Sequence, residues 1–174
     1  MADFEPALEI TLRNEGGFYH NPSTGEIVNH GITLKFIQSS GYKPDADEEW
    51  IKNLSVEEAS AIYKKYFWDA YHIGGITYQP LANKVFDLCV NLGPKAITLL
   101  QATLLQVTLS SSNPTLAIDG ILGLHSLHLI NTFGLPADLL TAYKFSAANY
   151  YKQIASMHPV LASNLDGWLK RLDL

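Results

Sequence analysis

Arg13-Asn14-Glu15-Gly16-Gly17-Phe18-Tyr19 runs directly into His20-Asn21-Pro22-Ser23-Thr24-Gly25-Glu26-Ile27-Val28-Asn29-His30-Gly31-Ile32-Thr33. The first part closes an apolar-periodic run with a carboxylate and two glycines. Glycine readily takes the left-handed conformation past a helix end, so Glu15 is predicted on the last helical turn. A helix C-terminus carries partial negative charge and disfavours a second anion, which favours the protonated form of Glu15. The second part has no amphipathic helical period. Asn21-Pro22-Ser23-Thr24-Gly25 is a turn signal and Glu26 to Asn29 is β-prone, so a small polar hairpin is predicted to face the helix end.

Working outward, Asp3 is predicted to cap the first helix, with Pro6 in its first turn and Phe4, Leu8, Thr11 and Leu12 forming its buried stripe. After the hairpin, Leu34 to Ser40 reads as a short helix, and Lys43 to Glu49 as a polar surface connection. Ser55-Val56-Glu57-Glu58 is a capping box opening a helix that is predicted to run to about Tyr71. A helix from Pro80 ends at Gly93-Pro94, and Lys95 to about Leu109 is an apolar helix expected to be nearly fully buried. Ser110-Ser111-Ser112-Asn113-Pro114 reads as a linker. Asp119-Gly120 is predicted to start a further helix, Ala137 to about Met157 is the longest helical run, and Leu165 to Leu172 is a short amphipathic one. The fold class is therefore mainly α with one small β-hairpin beside the first helix.

Composition narrows the function classes. The chain has 174 residues, 47% of them hydrophobic and 17% charged, which suits one packed globular unit. Net charge is −5, and residues 1–79 carry 6 Lys/Arg against 12 Asp/Glu, a poor match to the phosphate backbone of nucleic acid. No run is apolar enough to insert in a membrane. The start, Met1 to Pro6, is not a standard secretory signal, so synthesis in the cytoplasm is expected, with any export by another route.

Three catalytic templates find no support. The single cysteine, Cys89, lies on an apolar helix face and is read as a small buried hydrophobe, not a nucleophile. No serine sits on a strand–turn–helix elbow. His20, His30, His125 and His128 form no zinc-type spacing, so neither a metal nor a cofactor is expected. Glycoside hydrolysis asks for less: one carboxylic acid, and a group opposite it to position water or stabilise positive charge. Glu15 can supply the acid, although a helix-end carboxylate is equally consistent with simple solvation.

Longer-range motifs break that tie. Glu15-Gly16-Gly17-Phe18 and Asn29-His30-Gly31-Ile32-Thr33, followed by Tyr66-Phe67-Trp68, Phe86 to Gly93 and Leu100-Gln101, together resemble the signature of glycoside hydrolase family 108. Its N-acetylmuramidases cleave peptidoglycan and have a lysozyme-like fold. Asp119 to Gly123, Tyr150-Tyr151 and Gly167 to Arg171 resemble the predicted peptidoglycan-binding region that follows in those proteins. The resemblance implies a catalytic region at 1–93 and a helical binding region at 94–174, packed as one unit.

The resemblance also implies site residues. Glu15 becomes the catalytic acid. Asn29, Gly31 and Thr33 line the cleft floor, Asn91 lies near the sugar, and Tyr19 is a candidate for stacking on it. Family members carry Asp-Pro-Gly-Gly in the hairpin, with the Asp nine residues after the glutamate. Here that position is Thr24, within Ser23-Thr24-Gly25-Glu26. Either Glu26 serves as the second carboxylate, or Thr24 positions water through its hydroxyl, or the hairpin is altered in function. Strand alternation would put Thr24 and Glu26 on one side.

The implied activity is hydrolysis of the β-1,4 bond between N-acetylmuramic acid and N-acetylglucosamine. The alternatives are a lytic transglycosylase and a weak or inactive peptidoglycan-binding protein. The implied partner is the glycan strand. The implied setting is the bacterial periplasm or cell wall, reached through a holin-type pore, as for a prophage (phage) endolysin or a secretion accessory.

Overall fold

Two helices that meet through aromatic side chains organise the chain. The computed structural model describes residues 1–108 and 115–172, with Asn14 and Glu15 described by their backbone; the expected linker at 110–114 lies outside the described residues. Helix α1 (Phe4–Glu15) buries Phe4, Ala7 and Thr11, with Leu8 and Leu12 at the edges of the stripe. It packs on α5 (Gln79–Leu92), where Phe4 meets Phe86 edge-on at 5.7 Å and Trp68 at 5.6 Å. Phe86 also contacts Tyr63 and Trp68, so one aromatic knot joins four segments of the chain.

Asp3 occupies the N-cap of α1 but makes no side-chain cap bond. Pro6 sits at the third helical position and has no N–H to offer, which removes the usual partner of a capping carboxylate. The Gln79 side chain ties down this end instead: the Asp3 N–H donates to its Oε1 at 2.7 Å, and its Nε2 donates to the Asp3 carbonyl at 2.8 Å.

The expected hairpin is a three-stranded antiparallel sheet in the order β1 (Tyr19–His20), β2 (Ile27–Asn29), β3 (Ile32–Thr33). Tyr19 pairs with Val28, and Val28 with Thr33. His30 and Gly31 join β2 to β3 with φ of 50° and 75°. Positive φ at both central residues is what a tight two-residue hairpin requires, and the Tyr63 hydroxyl holds this one by donating to the His30 carbonyl at 2.9 Å.

Helix α2 (Leu34–Ser39) follows, capped by Thr33. The segment read as a surface connection contains α3 (Glu48–Lys52). Asp47 starts it by accepting the Trp50 N–H at 2.9 Å, so one carboxylate of that acidic run is a cap and not merely solvated. Helix α4 (Val56–Tyr63) opens with the Ser55 cap as expected, its Oγ accepting the Glu58 N–H at 3.1 Å. It does not continue as α-helix to Tyr71. Lys64–Asp69 is a π-helical turn, whose wider winding brings residues five apart together, and Lys64 Nζ meets Asp69 Oδ1 at 2.7 Å.

Helix α6 (Pro94–Thr108) buries Ala96, Ile97, Leu100, Gln101, Thr103 and Leu104, while Ala102 and Gln106 face out, so one face only is in the core. The helix expected at Asp119 begins later, as α7 (Leu124–Thr132). Asp119 Oδ1 accepts the Ile121 N–H at 2.9 Å and an Nε2 hydrogen of buried Gln101 at 2.8 Å. Gln101 Oε1 in turn takes the Gly120 N–H at 3.0 Å. These bonds fix Asp119-Gly120 as a turn and leave nothing to start a helix there. Helix α8 (Pro136–Met157) packs across α5 and α6, and α9 (Leu165–Leu172) returns onto α8. A single cluster of buried apolar side chains runs from Phe4 to Leu172.

Candidate active site

Gly16 ends α1 with φ of 69°, which places Glu15 on the last helical turn, four residues before β1. The chain then enters the sheet through a loop that its own side chains shape. Asn21 Oδ1 accepts the N–H groups of Ser23 at 2.9 Å and Thr24 at 3.3 Å. The Gly25 N–H donates to the Asn21 carbonyl and the Asn21 N–H to the Glu26 carbonyl, both at 2.8 Å. An Asn side chain that mimics a backbone turn makes this loop compact without any regular strand at 21–26.

Between this loop and α2 lies a cavity of about 500 Å³, with Thr24, Glu26, Thr33, Lys35 and Gln38 on its walls. Three of the predicted site residues are thus brought together. Thr24 and Glu26 share the cavity because of the loop's turn and not because of strand alternation, since β2 begins only at Ile27. Thr24 Oγ1 accepts the Glu26 N–H at 3.3 Å, and Thr33 Oγ1 accepts the Phe36 N–H at 3.1 Å. Each hydroxyl keeps its own hydrogen for a further acceptor.

Lys35 and Gln38 were not among the residues singled out from the sequence. They lie three apart on α2 and so on one face, a signal that becomes readable only once the sheet is known to cover that face. Gln38 is fixed there by donating to the Ala46 carbonyl at 2.8 Å. One carboxylate, one ammonium, two hydroxyls and an amide around a cavity of this size suit a sugar ring, whose hydroxyls both donate and accept.

The other predicted residues sit elsewhere. Asn29 is buried, and its Nδ2 donates to the carbonyls of Ile51 at 2.9 Å and Lys52 at 3.3 Å, closing the end of α3. Its amide hydrogens are therefore directed into the fold. Gly31 forms the β2–β3 turn. Tyr19 is 55% exposed on β1. Asn91, at the end of α5, is exposed and accepts the Tyr151 hydroxyl at 2.9 Å. The Tyr151 ring in turn stacks on Trp168 at 5.1 Å.

Asn29→Asp is expected to lower stability by about 1–3 kcal/mol, because a carboxylate would turn an acceptor toward two carbonyls. Thermal unfolding of the variant measures it. Cleavage at a temperature where the variant is folded should change little, and a large loss there with unchanged melting would return Asn29 to the cleft.

Burial pushes the Cys89 thiol far above its usual range, leaving no reactive thiolate. His20 Nδ1 lies 3.0 Å from Glu48 Oε1, and His125 Nε2 lies 3.0 Å from the Thr115 carbonyl. Among the described residues no group of three metal-ligating side chains converges.

Residues 8–93 match the family described as glycosyl hydrolase 108, and residues 95–173 match the predicted peptidoglycan domain. No curated protein sequence matches the chain. Among solved structures the fold is similar to that of Brucella abortus SagA, with a TM-score of 0.72, 97% of this chain and 92% of that chain covered, at 18% sequence identity. At that identity the likeness is one of fold.

Proposed function

The chain belongs to the glycosyl hydrolase 108 family over residues 8–93 and to the predicted peptidoglycan domain family over residues 95–173, and from that premise we propose a muramidase with Glu15 as its general acid. It is a glycoside hydrolase directed at peptidoglycan. The bond proposed to be cut is the β-1,4 link between N-acetylmuramic acid and N-acetylglucosamine. The observation that carries this reading is the polar cavity between the 21–26 loop and α2, with Thr24, Glu26 and Thr33 on its walls, in the stretch of chain that follows Glu15.

Glu15 protonates the leaving oxygen as the glycosidic bond breaks. Glu26 holds the water that attacks the anomeric carbon, and the Thr24 and Thr33 hydroxyls orient that water or the sugar. A water held between two carboxyl groups some 6.5–9.5 Å apart gives inversion at the anomeric carbon. The substrate lies outside the cytoplasmic membrane, so the protein acts in the periplasm or wall after passage through a holin-type pore, in the manner of an endolysin.

A second reading draws on Thr24 itself, which stands where the family carries an aspartate. With one acid/base group alone, the product would be the anhydro sugar of a lytic transglycosylase. Purified cell wall digested with the intact chain and analysed by mass spectrometry separates the outcomes. New reducing ends support the muramidase, anhydro-muramyl ends support the transglycosylase, and wall that binds the protein yet stays uncut leaves a binding protein. Glu26→Gln is expected to lower the turnover of wall by about 100-fold or more. Thr24→Ala, which removes one hydrogen bond, is expected to lower it by about 10-fold. Equal, small losses in both variants would remove Glu26 from the mechanism.

A further inference from the structure

Away from the sheet, a cavity of about 160 Å³ opens where α1, α5 and α8 meet, lined by Ile10, Pro80, Asn83, Lys84, Leu140 and Lys144. Two of its six lining residues are lysines, and among the described residues no carboxylate lines it. Lys84 is 3% exposed. Its Nζ donates to the Arg171 carbonyl at 2.6 Å and reaches Asp87 Oδ2 at 3.5 Å. An ammonium has three hydrogens, so one is not used by these two partners.

Asp87 does not belong to Lys84 alone, because Arg171 Nε donates to its other oxygen at 2.8 Å. Lys144 forms no hydrogen bond or ion pair among the described residues, and its charge bears on Lys84. Asn83 Oδ1 accepts from Gln79 Nε2 at 2.7 Å, which leaves its own amide hydrogens as donors. With Asp87 shared between Lys84 and Arg171, the lysine pair leaves a net positive charge beside the cavity, which favours an anion there provided that hydrogen bonds offset the anion's desolvation.

We propose that this cavity binds a carboxylate of the peptide stem carried by the glycan that the enzyme cuts, held by Lys84, Lys144 and the Asn83 amide. The placement supports that source. Ile10 lies five residues before Glu15 on α1, an axial rise of about 7.5 Å, so the cavity opens beside the helix that carries the proposed acid. Ile10, Pro80 and Leu140 give the stem an apolar wall. The proposal rests on peptidoglycan as substrate and does not depend on which group attacks the sugar.

Titration of the intact chain by calorimetry, at constant ionic strength, tests it with two probes: the free stem tripeptide L-Ala-D-Glu-diaminopimelate, and inorganic phosphate. The expected result is saturable tripeptide binding, weakened about 10-fold by Lys144→Gln and lost in Lys144→Glu, with both variants melting as the parent does. Phosphate binding alone, without the tripeptide, would overturn the stem as the source, and binding of neither probe would overturn the site. Should Lys144→Glu melt early, Lys144→Gln and the amide resonances of Asn83 and Lys84 under tripeptide carry the decision. Resonances that stay still overturn the proposal. Glu15→Gln should bind the tripeptide like the parent, so a failed muramidase assignment and a failed anion site give different patterns.

Discussion

Glu15→Gln is expected to leave purified cell wall undigested, with turnover down by roughly 100- to 10,000-fold, the usual worth of a general acid in the transition state. The amide keeps the size and polarity of the side chain but cannot hand a proton to the leaving oxygen. Glu15 is the last residue of α1, and the helix is held by Phe4, Ala7 and Thr11 several residues earlier. Melting of the variant should therefore match the parent, which separates lost chemistry from lost structure. Binding to the wall should persist, because residues 95–173 are untouched. Wall fragments released by Glu15→Gln at the parent rate would remove Glu15 from the reaction, whatever Glu26 does.

What could be read from the residues follows from how local their determinants are. The end of α1 was legible because Gly16 needs only its own positive φ to stop a helix, and the end of α5 at Gly93 for the same reason. The Ser55 cap needed only the residue three positions on. Asp119-Gly120 reads as a helix start in sequence yet forms a turn, because its decisive partner, Gln101, lies in another helix. Helix α3 was hidden because a run of acidic residues has the same composition whether solvated or capping.

The candidate site divides along the same line. Glu15, Thr24, Glu26 and Thr33 sit within one continuous stretch whose turns are encoded nearby. Asn29 lies in that stretch too, yet its side chain is claimed by the carbonyls of Ile51 and Lys52, more than twenty residues away. Lys35 and Gln38 gained a role only from the sheet laid over α2. A polar residue near a site is thus assigned by what else competes for its hydrogen bonds, and that competition is tertiary.

Asp87→Ala is expected to cost about 3–5 kcal/mol, because it strips a buried carboxylate from two cations and leaves Lys84 charged in a poorly solvated place. Asp87 is fully buried and joins α5 to α9 through Arg171 at 2.8 Å, so the loss falls on the docking of the C-terminal helix as well as on α5. For a chain of this length the shift in melting temperature is roughly 6–20 °C. The deficit should depend on pH in a set direction. Desolvation holds the Lys84 pKa below its ordinary value of 10.5, and Asp87 opposes that by raising it. Without Asp87 the folded-state pKa falls further. Between that lowered value and 10.5 the unfolded chain binds more protons at Lys84 than the folded one, so stability rises with pH across the window. The gap between variant and parent should therefore be widest below the lowered pKa and narrow as pH approaches 10.5. Lys84→Met in the Asp87→Ala background should recover much of the loss by removing the stranded charge. A deficit that is flat with pH and untouched by Lys84→Met would mean that packing around Asp87, and not its charge, holds α9 in place.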